Sequence, residues 1–209
     1  MKLAIFGATG RTGKPLLEQA LQAGNEVAVL IRTPSKLTIQ HPKLTIVQGD
    51  VLNPADVEKV VQGSDAVISV LGQSKDSPKD LLTRAITNII AAMEKYGIKR
   101  LVSLTGAGVA DPHDRPKLAN HLIKAALKLM SGHVLKDAEN HADMIRKSNL
   151  DWVIVRGPML TEGPHTGNYR VGWVGVNTSA RISRADLADF LLKQATDMTY
   201  LRQTPMVSY

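Results

Sequence analysis

A glycine-rich segment near the start of the chain has the composition and spacing of a phosphate-binding turn. Three glycines at intervals of three residues lie between an apolar run and an amphipathic segment. Such glycines permit a tight turn and a close backbone approach to a pyrophosphate, while the N–H groups and dipole of the following helix favour the anion. The sequence therefore predicts that this turn binds a dinucleotide. The residues assigned to the phosphate contact are Gly7, Thr9, Gly10, Arg11, Thr12 and Gly13.

The end of the second apolar run indicates which dinucleotide is bound. An NAD-specific site commonly has an Asp or Glu here to accept hydrogen bonds from the adenosine ribose, but this chain has Arg32. Arg32, Ser35 and Lys36 offer cations and a hydroxyl suited to a 2′-phosphate, and Arg11 could add a further cation. We therefore predict NADPH/NADP as the cofactor. The alternative is that these are ordinary solvated loop residues.

Further cofactor contacts are predicted where the third and fourth apolar runs end. Asp50 is placed to accept a hydrogen bond from the adenine amino group, with Val51 against the ring. A turn or helix-capping aspartate would have the same sequence context. Leu71, Gly72 and Gln73 end the fourth run, along the edge where the cofactor would extend, and Gly72 would allow a close approach.

The segments that must position these residues alternate between strand-like and helix-like periodicity. Short β-branched runs predict strands, and longer amphipathic segments predict helices. The predicted strands are 2–6, 26–31, 44–47, 66–71, 100–104, 152–155, 169–176 and 205–208. The predicted helices are 12–23, 54–62, 79–96, 117–130, 136–147 and 184–196.

Apolar strands separated by helices require crossover connections, which give a parallel sheet covered on both faces. We therefore predict an α/β fold: a single doubly wound Rossmann-like domain over residues 1–209, with a mostly parallel sheet and helices on both faces. Residues 1–105 would form the dinucleotide-binding core. Residues 106–209 would form a small C-terminal elaboration on the substrate side.

The composition narrows the classes of partner and of site. The absence of cysteine excludes disulfides, thiolate nucleophiles and Cys-ligated metals, and no two of the six histidines are four residues apart, so we expect no metal site. A net charge of +7 suits an anionic partner. Because Lys and Arg are dispersed and only 4% of residues are aromatic, we expect no nucleic-acid binding.

The hydropathy pattern predicts no membrane segment. The apolar opening stops at Gly7, short of a signal peptide, and no later run approaches the roughly 18 residues of a membrane span. We therefore expect a cytoplasmic protein without a membrane partner, as a monomer or a small homo-oligomer.

Several segments together give the chain a family resemblance. It resembles an atypical short-chain dehydrogenase/reductase, closest to the biliverdin-IX-beta reductase and flavin reductase group and more distantly to NmrA-like proteins. The segments that carry the resemblance are 7–13, 29–32, 49–52, 65–68, 88–93, 149–152 and 164–169. It implies hydride transfer from NADPH to an anionic or aromatic small molecule: a flavin, a biliverdin-like tetrapyrrole or a quinone. The more distant resemblance implies an alternative, a non-catalytic NADP(H)-binding redox sensor.

The catalytic candidates follow from this resemblance. A standard short-chain dehydrogenase uses Tyr-x-x-x-Lys as its acid, but none of the four tyrosines has a lysine four residues on. Alcohol–ketone chemistry is therefore not expected. Thr105 occupies the Ser/Thr position of the superfamily and could bind the nicotinamide or a substrate carbonyl; a local bond to backbone is the alternative. Lys136 falls near the lysine that holds the nicotinamide ribose, unless it is a solvated helix-start lysine.

The floor of the nicotinamide pocket is predicted at Gly157, Pro158 and Met159. The chain departs here from the biliverdin reductase group, which has a serine where this chain has Gly106 and a histidine where it has Met159. Both departures leave the acceptor open. A further set of residues, Lys117, Lys124 and Lys128, would share one helix face that is either solvated or an anion-attracting lid.

Overall fold

Strands and helices alternate along the chain in the computed structural model, which describes residues 1–116 and 118–209 and, for residues 118–131, only the helical backbone. The strands are β1 (Lys2–Phe6), β2 (Glu26–Ile31), β3 (Leu44–Gln48), β4 (Ala66–Ser69), β5 (Arg100–Gly106), β6 (Asp151–Gly157), β7 (Met159–Thr161), β8 (Arg170–Gly172), β9 (Arg181–Ser183) and β10 (Met206–Ser208). The helices are α1 (Gly13–Gln22), α2 (Pro54–Val61), α3 (Leu81–Lys95), α4 (Leu118–Lys147) and α5 (Arg184–Lys193), and a 3₁₀ turn covers Pro34–Lys36.

An eight-stranded sheet in the order β3-β2-β1-β4-β5-β6-β10-β8 forms the centre of the fold. All neighbouring strands are parallel except β8, which runs antiparallel to β10. The strand order reverses between β1 and β4, which opens a crevice at the carboxyl ends of these strands. The predicted doubly wound α/β arrangement is confirmed.

The central strands are apolar along their whole length because helices cover both faces of the sheet. In β1, Leu3 and Ile5 pack into a cluster with residues of α1 and α5, while Ala4 and Phe6 pack into a cluster with residues of α2, α3 and α4. Alternate side chains of a strand point to opposite faces. The two clusters pack the helices onto both faces of the strands whose ends border the crevice.

One long helix replaces two predicted ones. The predicted pair 117–130 and 136–147 is wrong, because α4 runs without interruption from Leu118 to Lys147. Gly132 lies inside this helix, where glycine costs about 1 kcal/mol relative to alanine. The buried residues Ala138, Ala142 and Ile145 pack against α3 and the sheet. This packing outweighs the local cost of the glycine.

The predicted strand 169–176 is also wrong in extent. It is reduced to β8, because Gly175 (φ +82°) and Asn177 (φ +51°) turn the backbone beyond Trp173. Two strands that the sequence analysis missed, β7 and β9, pair in parallel in a separate two-stranded sheet. At three residues each, they are too short to show a periodicity.

Candidate functional site

The glycine-rich turn connects β1 to α1 at the carboxyl edge of the sheet. Gly7 has a φ of +90°, and a Cβ placed there would lie 2.8 Å from the carbonyl oxygen of Val70. A Cβ on Gly13 would lie 2.0 Å from the carbonyl oxygen of Gly7. The Gly10 N–H donates to that same carbonyl at 3.0 Å. The turn is thus packed tightly against β4 and α1, whereas Gly10 and Arg11 are exposed. A cradle free of side chains at a helix N-terminus fits a pyrophosphate.

The predicted 2′-phosphate corner lies at the end of β2. Arg32, Ser35 and Lys36 are all exposed there, and the last two belong to the 3₁₀ turn. Within the described part of the chain, no carboxylate forms an ion pair with Arg32 or Lys36. These cations are therefore available to an anionic ligand. Arg11 instead lies near a carboxylate, with its Nη1 3.9 Å from Oε1 of Glu162.

The segment after β3 places the predicted adenine contacts. Oδ1 of Asp50 accepts a hydrogen bond from the Leu52 N–H at 2.9 Å, so the turn role of this aspartate is observed, and the adenine contact stays a prediction. Val51 is buried, and its carbonyl accepts from Nδ2 of Asn88 at 2.9 Å. Asn53, rather than Asp50, caps α2. Asn88 therefore holds this segment in place from α3.

The segment after β4 faces open space at one residue and is anchored at the next. No atom of the described residues lies within 4 Å of a Cβ placed on Gly72. Nε2 of Gln73 donates to Oδ2 of Asp137 at 2.6 Å and to the Lys79 carbonyl at 2.7 Å. The Gln73 side-chain amide thus ties the segment after β4 to α4. Leu71, two residues earlier, is partly buried.

Asp137 supports the candidate site and was missed by the sequence analysis. Its buried carboxylate also accepts from the Leu82 N–H at 2.8 Å and from the N–H and hydroxyl of Thr83 at 3.0 and 2.6 Å. A residue of α4 therefore caps the N-terminus of α3 and fixes the strand end that carries Gln73. The pairing spans 54 residues, so local sequence patterns contain no signal for it.

Thr105 combines burial with an unused hydroxyl. The residue is 7% exposed, and its Oγ1 has no hydrogen-bond partner among the described residues. The alternative of a local backbone bond is therefore not observed. Gly106 beside it is exposed, with no described atom within 4 Å of a Cβ placed there. An orphaned buried hydroxyl at the carboxyl end of β5 fits a ligand that supplies the missing partner.

A buried hydrogen bond involves Ser103, which lies two residues before Thr105 on β5. Oγ of Ser103 is 3.0 Å from Nε2 of His141 on α4. Burial lowers the pKa of His141 to about 4, although Asp137 opposes the shift. The imidazole is therefore neutral at physiological pH and packs α4 onto β5 without a charge.

Lys136 lies on α4, and the position where a Tyr-x-x-x-Lys motif would have its tyrosine lies one turn earlier on the same helix. Lys136 is exposed, so its role at the nicotinamide ribose stays a prediction. Four residues before it stands Gly132, which has no side chain to serve as an acid. Another tyrosine and lysine do meet in space, because Nζ of Lys193 is 3.2 Å from the hydroxyl of Tyr169. Burial and the hydrogen bond to Asp189 raise the pKa of Tyr169, which makes it a weaker acid.

The end of β6 supplies the predicted pocket floor. Gly157 is buried, and its carbonyl accepts a hydrogen bond from the Ala107 N–H at 3.0 Å, which joins it to the segment after Thr105. Pro158 is partly buried, and Met159 is 63% exposed. The thioether therefore lies open at the same edge as the Thr105 strand end.

A buried ion pair that the sequence analysis missed supports this edge. Arg156 on β6 is fully buried, and its Nη1 and Nη2 each donate to Asp114 at 2.8 Å. Asp114 also accepts from the backbone of Asp111 at 2.9 Å and of Val174 at 3.0 Å, so all its acceptor positions are used. Although burial opposes ionisation, the hydrogen bonds from Arg156 and backbone amides give Asp114 a pKa below its usual value. The pair fastens the segment after β5 to β6.

The remaining sequence predictions concern the lysine face, a metal site and a membrane segment. The side chains of Lys117, Lys124 and Lys128 lie outside the described residues. The described residues contain no group of three potential metal ligands, and none of their helices is long and apolar enough to cross a membrane.

Comparison with known proteins identifies similar chains. Residues 7–198 match the family model described as NAD(P)H-binding. The chain is 25% identical to the uncharacterized protein YwnB of Bacillus subtilis, covering 93% of this chain and 92% of YwnB. It is 26% identical to the photosystem II assembly factor Ycf39 of Synechocystis, covering 98% of this chain and 61% of Ycf39.

Two solved structures share the fold. A short-chain dehydrogenase/reductase from Veillonella parvula in complex with NADP has a TM-score of 0.82 and 21% identity, covering 100% of this chain and 94% of that chain. ChuY from Escherichia coli O157:H7, described as an anaerobillin reductase, has a TM-score of 0.80 and 23% identity, covering 100% of this chain and 97% of ChuY.

Proposed function

This chain belongs to the NAD(P)H-binding family of oxidoreductases, and from that premise we propose that it is an NADPH-dependent reductase of planar acceptors. The acceptor classes are a flavin, a biliverdin-like tetrapyrrole or a quinone. The observation that carries the proposal is the open carboxyl edge of β4, β5 and β6. There Gly72 and Gly106 leave space, Met159 is 63% exposed and the Thr105 hydroxyl has no described partner.

The two ends of the cofactor would be bound on opposite sides of the point where the strand order reverses. The glycine-rich turn would hold the pyrophosphate, and the exposed cations Arg32 and Lys36 would hold the 2′-phosphate on the β2 side. The nicotinamide would then lie on the β5 and β6 side, with the Thr105 hydroxyl bonded to its amide or to the acceptor. Bound NADPH supplies a hydride, and the protein positions the acceptor and excludes competing reactions.

The missing acid restricts the acceptor. Hydride addition to a ketone creates an alkoxide, which needs a nearby acid, yet Gly132 leaves no side chain four residues before Lys136. A flavin, tetrapyrrole or quinone delocalises the added electron pair and can take its proton from solvent. The exposed Met159 thioether would favour a flat aromatic surface above it. The name of the similar structure ChuY supports a tetrapyrrole, and the net charge of +7 favours anionic acceptors.

Consumption of NADPH with flavin mononucleotide, biliverdin and a quinone tests the proposal. We expect turnover with at least one acceptor. Replacing Thr105 by Val keeps the shape of the side chain and removes the hydroxyl. We expect kcat to fall about tenfold, which corresponds to a net hydrogen bond of about 1.4 kcal/mol. Unchanged turnover in this variant would remove Thr105 from the catalytic residues.

A second candidate is a non-catalytic protein that binds NADP(H) and relays the redox state to a partner. The similarity to Ycf39, an assembly factor by name, favours it. Tight NADPH binding together with no oxidation by any of the three acceptors would support this candidate and contradict the reductase.

A further inference from the structure

Two arginines from different parts of the chain converge on one exposed carboxylate beside the glycine-rich turn. Oε1 of Glu162 is 2.6 Å from Nη1 of Arg184 and 3.9 Å from Nη1 of Arg11. The Arg184 side chain is 9% exposed, whereas the Glu162 side chain is 68% exposed. A nearly buried guanidinium is therefore neutralised by a carboxylate at the rim of the crevice.

The fold explains why these three residues meet. In the small sheet, Thr161 of β7 is paired with Ser183 of β9, so the next residues, Glu162 and Arg184, are neighbours. Ser183 caps α5 by accepting from the Asp186 N–H at 3.0 Å, and Arg184 is the first residue of that helix. The position of Arg184 is thus set by a strand and a helix together.

Packing of α1 on α5 brings in the third residue. Nε2 of Gln19 donates to the Ala185 carbonyl at 2.9 Å, which ties the C-terminal half of α1 to the start of α5. Arg11 lies just before α1, inside the turn predicted to hold the pyrophosphate. The cluster of Arg11, Glu162 and Arg184 therefore lies beside this turn, and Glu162 follows Met159 by three residues along the chain.

We propose that Arg11 and Arg184 form an anion site in which Glu162 is a resident carboxylate that a phosphate or carboxylate group of a bound ligand displaces. An exposed glutamate can rotate into solvent, while Arg184 cannot leave its buried position and needs an anion beside it. The anion could be the pyrophosphate of the dinucleotide or an anionic group of the acceptor. The inference rests on the proposed cofactor binding but not on turnover.

The test compares ligand binding in Glu162→Gln with wild-type protein. The substitution removes the competing charge, so we expect NADPH to bind about fivefold tighter, the effect of one unit charge about 4 Å away in a watery medium. Glu94→Gln is the matched control, because Glu94 is an exposed glutamate at the opposite end of α3 from the crevice. Binding is measured by the fluorescence of NADPH and by calorimetry, without an acceptor.

Two further measurements separate competition from a purely structural role. The thermal midpoint of ligand-free Glu162→Gln should fall, because Arg184 loses its partner, and NADPH should raise that midpoint more than in wild type. In an Arg11→Gln background, Glu162→Gln should tighten NADPH binding less. If Glu162→Gln does not fold, Glu162→Asp keeps a charge for Arg184 but shortens the reach to both arginines, and a smaller tightening is expected.

Flavin mononucleotide and riboflavin distinguish the source of the anion. Tighter NADPH binding assigns the site to a phosphate group of the dinucleotide. Tighter binding of flavin mononucleotide, but not of riboflavin or NADPH, assigns it to the phosphate of the acceptor. The proposal is overturned if all three ligands bind with unchanged or lower affinity, or if Glu94→Gln produces the same tightening. Unchanged turnover with tighter binding would leave the anion site intact, and absent turnover would contradict only the reductase.

Discussion

Replacing Arg32 by Gln tests which dinucleotide the site prefers. Arg32 is exposed at the end of β2, next to Ser35 and Lys36 of the 3₁₀ turn, and has no carboxylate partner among the described residues. Its guanidinium would donate to the 2′-phosphate, which NADPH has and NADH lacks. The variant should therefore weaken NADPH binding and leave NADH binding unchanged.

The magnitude follows from the exposure of the site. A hydrogen bond to a charged group contributes about 1.5–3 kcal/mol. Because Arg32 lies at the solvent-exposed rim, where salt screens the charge, we take the lower limit, which corresponds to a loss of about tenfold in NADPH affinity. The loss should shrink at about 1 M salt, where the screening length is only about 3 Å.

The assay is a titration of wild type, Arg32→Gln and Lys99→Gln with NADPH and with NADH, followed by nucleotide fluorescence. Lys99 is exposed and precedes β5, at the amino edge of the sheet far from the crevice. Its replacement removes the same charge without touching the site. The reasoning is refuted if Arg32→Gln weakens both nucleotides equally, or if Lys99→Gln weakens NADPH to the same extent.

Two stability predictions concern a pair of glycines and the buried His141. Gly13→Ala places a methyl group 2.0 Å from the Gly7 carbonyl, so it should destabilise the protein by about 1–3 kcal/mol in urea unfolding and abolish nucleotide binding. Gly132 lies inside α4, and no described atom lies within 4 Å of a Cβ placed there, so Gly132→Ala should stabilise the protein by about 0.5–1 kcal/mol. The pKa of His141 is about 4 in the folded chain, against an ordinary 6.5. As the pH drops, the unfolded chain therefore binds the proton first. The free energy of unfolding should fall between about pH 6.5 and pH 4, by at most about 1.4 kcal/mol per pH unit. His141→Gln, which can still hydrogen-bond Ser103, should flatten this part of the stability profile relative to wild type; an equally steep profile would contradict the assignment.

Three hydrogen-bonded contacts of charged side chains around the crevice join residues that are far apart in the sequence. Asp137 and Thr83 are separated by 54 residues, Arg156 and Asp114 by 42, and Arg184 and Glu162 by 22. Each is a charged group stabilised in a buried or half-buried place by a partner on another element. A charge in a sequence is normally a sign of a solvated surface, so composition and periodicity contain no signal for these pairs.

Errors in the predicted elements have the same origin. A glycine inside α4 has a local cost, but the burial of Ala138, Ala142 and Ile145 against α3 and the sheet is a tertiary contribution. The parallel pairing of β7 with β9 depends on residues 159–161 meeting residues 181–183. Neither strand is long enough to be detected by itself.

The sequence by itself determined the doubly wound fold and the dinucleotide turn. Both depend on local features, namely the alternation of strand and helix periodicity and the three glycines that a turn against β4 and α1 requires. The tertiary structure decided which polar groups are available at the crevice. Burial leaves the Thr105 hydroxyl without a described partner, and the β7–β9 pairing brings Glu162 to Arg184. Hydrogen-bond satisfaction and charge pairing depend on distances between elements, which only the folded chain defines.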